Sequence, residues 1–517
     1  MATTTFARRA AEIGIVVSVV ACSRAQPPLP PSAQAAAPIS IEMVVRPVRA
    51  GAEEVSSVQV RSELRGALDQ RTRPLSFRAP IVYASVPEIA DRVDSLTVRD
   101  ASGDVALAIE NDPVNRGGFP FYRHWRAQRA VVPPVVLSYR IRAGVPRLGP
   151  QFDLYAHGGG ISAGGMALFV VPESVARADI RVRWDVRDLA KGSTAATTNG
   201  DGDLRIVGAP EQLIQAYYMV GPLGVYRSPS LGFSAYWLGK PAFEPRREMA
   251  WTERSYRFQR AFFKDTTARE YRVFVRAVAG GGGGTALRNS FMLATAPGSA
   301  DTARSGPRET LAHEMGHMFV GSVTGGGTGG ATWFNEGLNV HYTRLVLLRS
   351  GLDSVGSYLR SVNATARAYY TNPFRNASAD SLERVGFSAG VAGGSAQNVP
   401  YTRGSLFFAD VDAKIRVASN GRRTLDDVIL PLFERRRRGE ALTVETLLAS
   451  LAHEIGPSVR DRFDAVLMRG ETIVPDSNAF GPCFERRATS FSSQNKQMDG
   501  YEWVRTSGLS DEQCREW

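Results

Sequence analysis

Short runs of alternating apolar and polar residues fill the first half of the chain. Ile39–Val45, Ser57–Arg61 and Val135–Arg142 follow this pattern, separated by Gly, Pro and Asp or Asn turns. A period of two turns one face of each strand to a core and the other to water. Residues 38–225 are therefore expected to form an N-terminal β domain of sandwich type. A mixed segment follows. Tyr271–Val278 reads as a strand, Gly280–Gly284 as a glycine run, and the stretch through Ser290–Leu293 as another strand. From residue 307 to about 470 the spacing changes to that of helices. Pro307 suits a first turn, Leu311, Met315 and Phe319 share one side, and Gly321 suits a stop. A second helix is expected from Glu336 to near Gly351, and a third over Gly404–Ile415. A fourth follows Thr424, read as its N-cap. The whole is an α+β multidomain chain, with a mainly helical domain over 226–475 and a tail over 476–517. No long-period repeat is present.

Composition agrees with a globular protein of more than one core. The chain has 517 residues, 43% of them hydrophobic and 22% charged. Net charge is +11, and Arg supplies 57 of the 62 basic residues, the other five being Lys. The basic residues are spread along the chain with no interleaved aromatic stripe, so no nucleic-acid partner is expected. The one dense run, Arg435–Arg438, is expected to be a solvated helix end rather than a phosphate site.

The first 25 residues read as an export signal. Arg8 and Arg9 precede a short apolar run, Ile13–Ala21, far below membrane-spanning length. Val19-Val20-Ala21-Cys22 resembles a bacterial lipobox, which would attach a lipid to Cys22 and fix the chain to a membrane. Ordinary cleavage near Ser23-Arg24-Ala25 is the other reading. The destination is the periplasm, the lipid-anchored envelope or the exterior. Residues 26–37 are a Pro, Ala and Ser tether. Besides Cys22 only Cys483 and Cys514 exist, either one disulfide closing the tail or two free thiols.

The chemistry concentrates at His313-Glu314-Met315-Gly316-His317. On a helix, His at i and i+4 lie one turn apart on one face and can grip one metal ion. After eighteen residues (318 to 335) comes Glu336, in Trp333-Phe334-Asn335-Glu336-Gly337. Two His and one Glu leave an open fourth position, as a catalytic Zn2+ needs. One zinc ion is therefore expected on His313, His317 and Glu336, with Glu314 as general base for a zinc-activated water. Asn335, beside the third ligand, is expected to orient substrate or ligand. His341, one turn beyond Glu336, is expected to be a packed or an exposed residue rather than to support the site. Gly325–Gly330 and Gly280–Gly284 read either as plain connections or as mobile rims.

These residues resemble the gluzincin clan of zinc peptidases, and within it the glycyl aminopeptidase family. The resemblance is carried by Tyr122-Arg123-His124-Trp125-Arg126, the run Phe152–Gly165, Phe274-Val275-Arg276, the two site helices through Leu352, and Tyr401 to Asp427. It implies a β domain ahead of a thermolysin-like, mainly helical zinc peptidase domain. It also implies that Tyr401, in a Tyr-x-x-Gly motif with Gly404, donates to the oxyanion. Relatives carry a carboxylate in the Gly-rich strand beside the cleft, the Glu of GxMEN in the aminopeptidases. Here that stretch is Gly284-Thr285-Ala286-Leu287-Arg288-Asn289-Ser290, where Arg288 would repel an ammonium or attract a carboxylate. The usual C-terminal PDZ domain has no counterpart in the tail. The expected function is an exported zinc metallopeptidase acting on a peptide or protein, with endo- and aminopeptidase action both open. The alternative is a catalytically inactive, peptide-binding protein of the envelope.

Overall fold

The computed structural model describes residues 39–517, apart from 52–53, 69, 71–73, 84–85, 114–120, 145–151, 268–269, 280–281, 299–306, 326–330, 387–390 and 494–495. The expected export signal with Cys22, the tether and most of the Gly325–Gly330 run lie outside the described residues. No described helix is long and apolar enough to cross a membrane.

The first half builds three sheets around one core. A seven-stranded sheet runs in the order Leu204–Gly208, Ala178–Trp184, Ser40–Arg49, Val55–Arg65, Val135–Arg142, Val93–Asp100, Gly103–Asp104. Its inward residues, among them Met43, Val45, Val58, Val60, Leu137 and Tyr139, are buried by the alternation that marked these strands. A four-stranded sheet is centred on the antiparallel pair Ser76–Val82 and Phe121–Ala127. A five-stranded sheet is centred on Tyr217–Gly221.

His124, in the four-stranded sheet, ties this half together through charge. Its ring nitrogens lie 2.9 Å from Asp112 Oδ1 and 3.0 Å from Glu173 Oε2. Burial opposes protonation, but the two carboxylates outweigh it and raise the imidazole's pKa. A raised pKa contributes stability below the unfolded value of about 6.5, and that contribution is lost as pH rises through the folded value. The melting temperature of the native chain should exceed that of His124→Gln most near about pH 6. The gap should narrow towards about pH 9. A gap independent of pH would contradict this assignment.

A second five-stranded sheet opens the other half, in the order Gly224–Ser228, Phe233–Leu238, Tyr271–Ala277, Ser290–Thr295, Gly284–Leu287. The three central strands are parallel. Parallel neighbours need a crossover, supplied here by the helix Pro245–Phe262. Glu244 caps that helix through the amides of Arg246 and Arg247, and Pro245 fills its first position. Tyr271–Ala277 is buried at every residue, as a central parallel strand should be. Gly284–Leu287 forms an edge of this sheet.

Helices follow from Arg308. Three expectations differ in detail. Pro307 stands just before the helix Arg308–Val320, with ψ of 70°, rather than inside its first turn. Thr424 does not cap the helix Asp426–Arg437 with its side chain; its own amide donates to Asp427 Oδ2. Gly404–Ile415 is only part of a helix spanning Val391–Ala418. Arg435–Arg438 is a structural run. Arg435 and Arg438 pair with Glu440 and Glu434, while Arg436 donates to the carbonyls of Phe319 and Val320. That guanidinium satisfies two orphan carbonyls at the end of the first site helix. The C-terminal strands Phe484–Ser493 and Lys496–Arg505 form a hairpin, with Cys483 bonded to Cys514. Trp503 is fully buried and exchanges hydrogen bonds with Asn363 on the helix Val355–Tyr370.

Candidate functional site

Two helices and a long third one carry the site. Arg308–Val320 presents His313 and His317 from adjacent turns, their ring centroids 4.8 Å apart. Gly321 ends it at φ 60°. Glu336 sits between the short helix Thr332–Asn335 and the helix Gly337–Arg349, itself in helical conformation. Its Oε2 lies 3.2 Å from His313 Nε2 and 3.3 Å from His317 Nε2. The three donor atoms lie within 4.8 Å of one another. Tetrahedral zinc ligands at about 2.0–2.1 Å stand about 3.3 Å apart, so the donor set fits the ion in kind and its two His–Glu distances fit it in spacing.

Two glycines explain how the helices come close enough. A Cβ on Gly337 would lie 2.5 Å from Gly404 Cα, and one on Gly404 would lie 2.4 Å from the Trp333 carbonyl oxygen. The residue after Glu336 thus touches the helix that carries Tyr401 through bare backbone. Ala at a helical glycine normally gains about 1 kcal/mol. Here it forces backbone apart, and overpacking costs about 1–3 kcal/mol or more. Gly404→Ala should therefore lower the melting temperature and displace Tyr401. A neutral or stabilised variant would refute the close-contact argument.

Glu314 is 7% exposed and lies against the edge strand, where a Cβ on Gly284 would meet its Cγ at 2.7 Å. Burial raises its pKa, with His313 and His317 pulling the other way. Burial acts on Glu336 in the same sense, but its hydrogen bonds to both imidazoles win and bring it down to about 2. Glu336 in turn raises His317 against the effect of burial. The Tyr401 ring stacks on His313 at 6.1 Å. Burial first, then the charges of Glu336 and Glu314, push its hydroxyl well above the usual range, so it remains a donor.

A cleft of about 1030 Å³ opens onto these groups. Asn335 and Arg288 line it, as do Glu314, the triad and Tyr401. Asn335 Oδ1 is buried with no hydrogen-bond partner among the described residues. His341 lies outside the cluster. It is 4% exposed, and burial drives its pKa down to about 3.

Sequence reasoning missed three supports. Asn339 is 1% exposed; its amide donates to the His313 carbonyl at 2.8 Å, and its Oδ1 fills the space a Cβ on Gly316 would need. Tyr271 hydroxyl donates to the Glu314 carbonyl at 3.3 Å. Tyr217, from the β half, donates to the Thr285 carbonyl on the cleft-side strand at 2.9 Å. Asn339 had one available signal, a polar residue one turn past Glu336 in an apolar helix.

No family model matches the chain, and no curated protein matches it. Among solved structures it is similar to an aminopeptidase N family protein from Idiomarina loihiensis. That match has a TM-score of 0.68 and 15% identity, covering 87% of this chain and 79% of that one. It is also similar to yeast LTA4 hydrolase, with a TM-score of 0.50 and 13% identity, covering 85% of this chain and 69% of that one. A β-rich first half and a helical second half thus match a known architecture. The chain shares its fold with an aminopeptidase N family protein.

Proposed function

We propose that this chain is an exported zinc metallopeptidase that hydrolyses peptide bonds. One observation carries the reading: two imidazole nitrogens and a carboxylate oxygen converge beside a buried carboxyl, in a cleft open to solvent. His313, His317 and Glu336 would hold a zinc ion, which would supply Lewis acidity towards a carbonyl and a water. Glu314 takes the proton of the attacking water and returns it to the leaving nitrogen. Its burial favours the protonated form, which suits a carboxyl that holds a proton between two transfers. Tyr401 donates to the carbonyl oxygen as negative charge grows there. Asn335 Oδ1 accepts from a substrate N–H. An intact Glu314 beside the triad favours turnover over a purely peptide-binding role.

Export is supported by Arg8, Arg9 and the apolar run to Ala21, and by a Cys483–Cys514 bond of the kind that persists in oxidising compartments. Lipid on Cys22 and a free mature form differ in the mass of the mature N-terminus. The peptidase reading is tested by incubating the purified mature chain with a mixed peptide library and reading products by mass spectrometry. Cleavage that stops with a chelator and returns with zinc is expected. Intact peptides after incubation with folded, zinc-loaded protein would contradict it.

A further inference from the structure

We infer that the cleft is built for internal or amino-blocked peptide bonds with an acidic residue close by, rather than for a free amino terminus. The inference rests on the peptidase reading above and names its substrate class.

The first support is the charge of the cleft wall. Glu314 and Glu336 are the only carboxylates among the described residues lining it, and both are engaged, one as base and one as ligand. On the edge strand Gly284 faces Glu314, so Ala286, two residues on, shares that face. Ala286 also packs against the core of the helical half. The strand position that borders the site therefore presents a methyl group. An α-ammonium entering here loses hydration and meets no spare anion among the described residues. An acylated or internal nitrogen carries no charge and suffers no such loss.

The second support is a cation of the wall that makes no ion pair among the described residues, Arg288. Leu287 pairs with Ser290, so Arg288 and Asn289 form a two-residue turn, with Asn289 at φ 54°. Arg288 is exposed at this tip and lines the cleft. Its guanidinium makes no ion pair with any described residue. By contrast, Arg272 and Arg308 nearby in sequence are tied to Asp201 and Glu248. A free guanidinium at a cleft mouth attracts a substrate carboxylate.

The test uses peptides with Glu within three positions of the cleaved bond, each paired with its Gln twin, with free and acetylated amino termini. Acetylation should leave kcat/KM within about twofold, because no unengaged carboxylate among the described residues of the cleft waits for the amine. The Glu peptide should be preferred about fivefold, the scale of a solvent-exposed ion pair. That preference should fall towards one in high salt and in Arg288→Gln. A strict need for a free amino terminus, or a Glu-to-Gln ratio of one in the native chain, would overturn the inference. Binding of the same acetylated peptides to Glu314→Gln, read by fluorescence anisotropy, separates the two claims. Equal affinity for the twins there overturns this inference, whereas absence of cleavage by the native chain overturns the peptidase reading.

Discussion

Glu314→Gln should lower kcat by about 10³- to 10⁴-fold while zinc content and melting temperature stay near native values. The substitution keeps the shape of a side chain that is 7% exposed and wedged against Gly284. It removes only the capacity to take and return a proton. Positioned acid–base groups contribute about 10²–10⁴ in rate, and the proposed mechanism gives Glu314 two transfers, so the upper part of that range is expected. At 1.36 kcal/mol per decade this is about 4–5.5 kcal/mol of barrier. His313, His317 and Glu336 are untouched, so metal binding should survive. Steady-state kinetics beside metal analysis of the same sample checks this. A variant within tenfold of native kcat would remove Glu314 from its role.

The second large effect belongs to Tyr401. Tyr401→Phe deletes one hydroxyl from a ring stacked on His313 and should cost about 10²–10³ in kcat, the usual value of one oxyanion donor. KM should change little, because the hydrogen bond strengthens only as charge develops on the carbonyl oxygen. Burial and the neighbouring carboxylates keep the hydroxyl protonated, so the loss should be the same across the neutral and alkaline range. A change confined to KM would make Tyr401 a substrate-packing residue instead.

How much of this was legible in the sequence depends on the distance over which each feature acts. The His-His-Glu cluster was legible because helical geometry alone brings i and i+4 together, and the second helix restarts at the third ligand. Gly321 as a stop was legible for the same local reason. Tyr401 was legible only by resemblance. Its surroundings, with Pro400 before it and Gly404 after it, argue on propensity against the 28-residue helix that contains them. Tertiary contact overrides that propensity: Gly404 is there to touch Gly337. Arg436 and Tyr217 could not be read at all. Each reaches its partner across a long separation, 116 residues to Val320 and 68 to Thr285, and no local pattern marks the pairing. The Thr424 error is different in kind. A Thr ahead of an apolar run satisfies the capping pattern, yet its hydroxyl caps no helix amide here; its own amide donates to Asp427 Oδ2 instead.

The central claim is that His313, His317 and Glu336 hold one zinc ion that hydrolysis requires. The most direct measurement strips the purified chain with a chelator and restores zinc in sub-stoichiometric steps, following peptide cleavage at each. The account predicts activity that rises linearly and stops rising at one zinc per chain. His317→Ala should show neither tight binding nor recovery under the same titration. Activity in the stripped chain, or one tightly bound zinc in His317→Ala with native turnover, would contradict it.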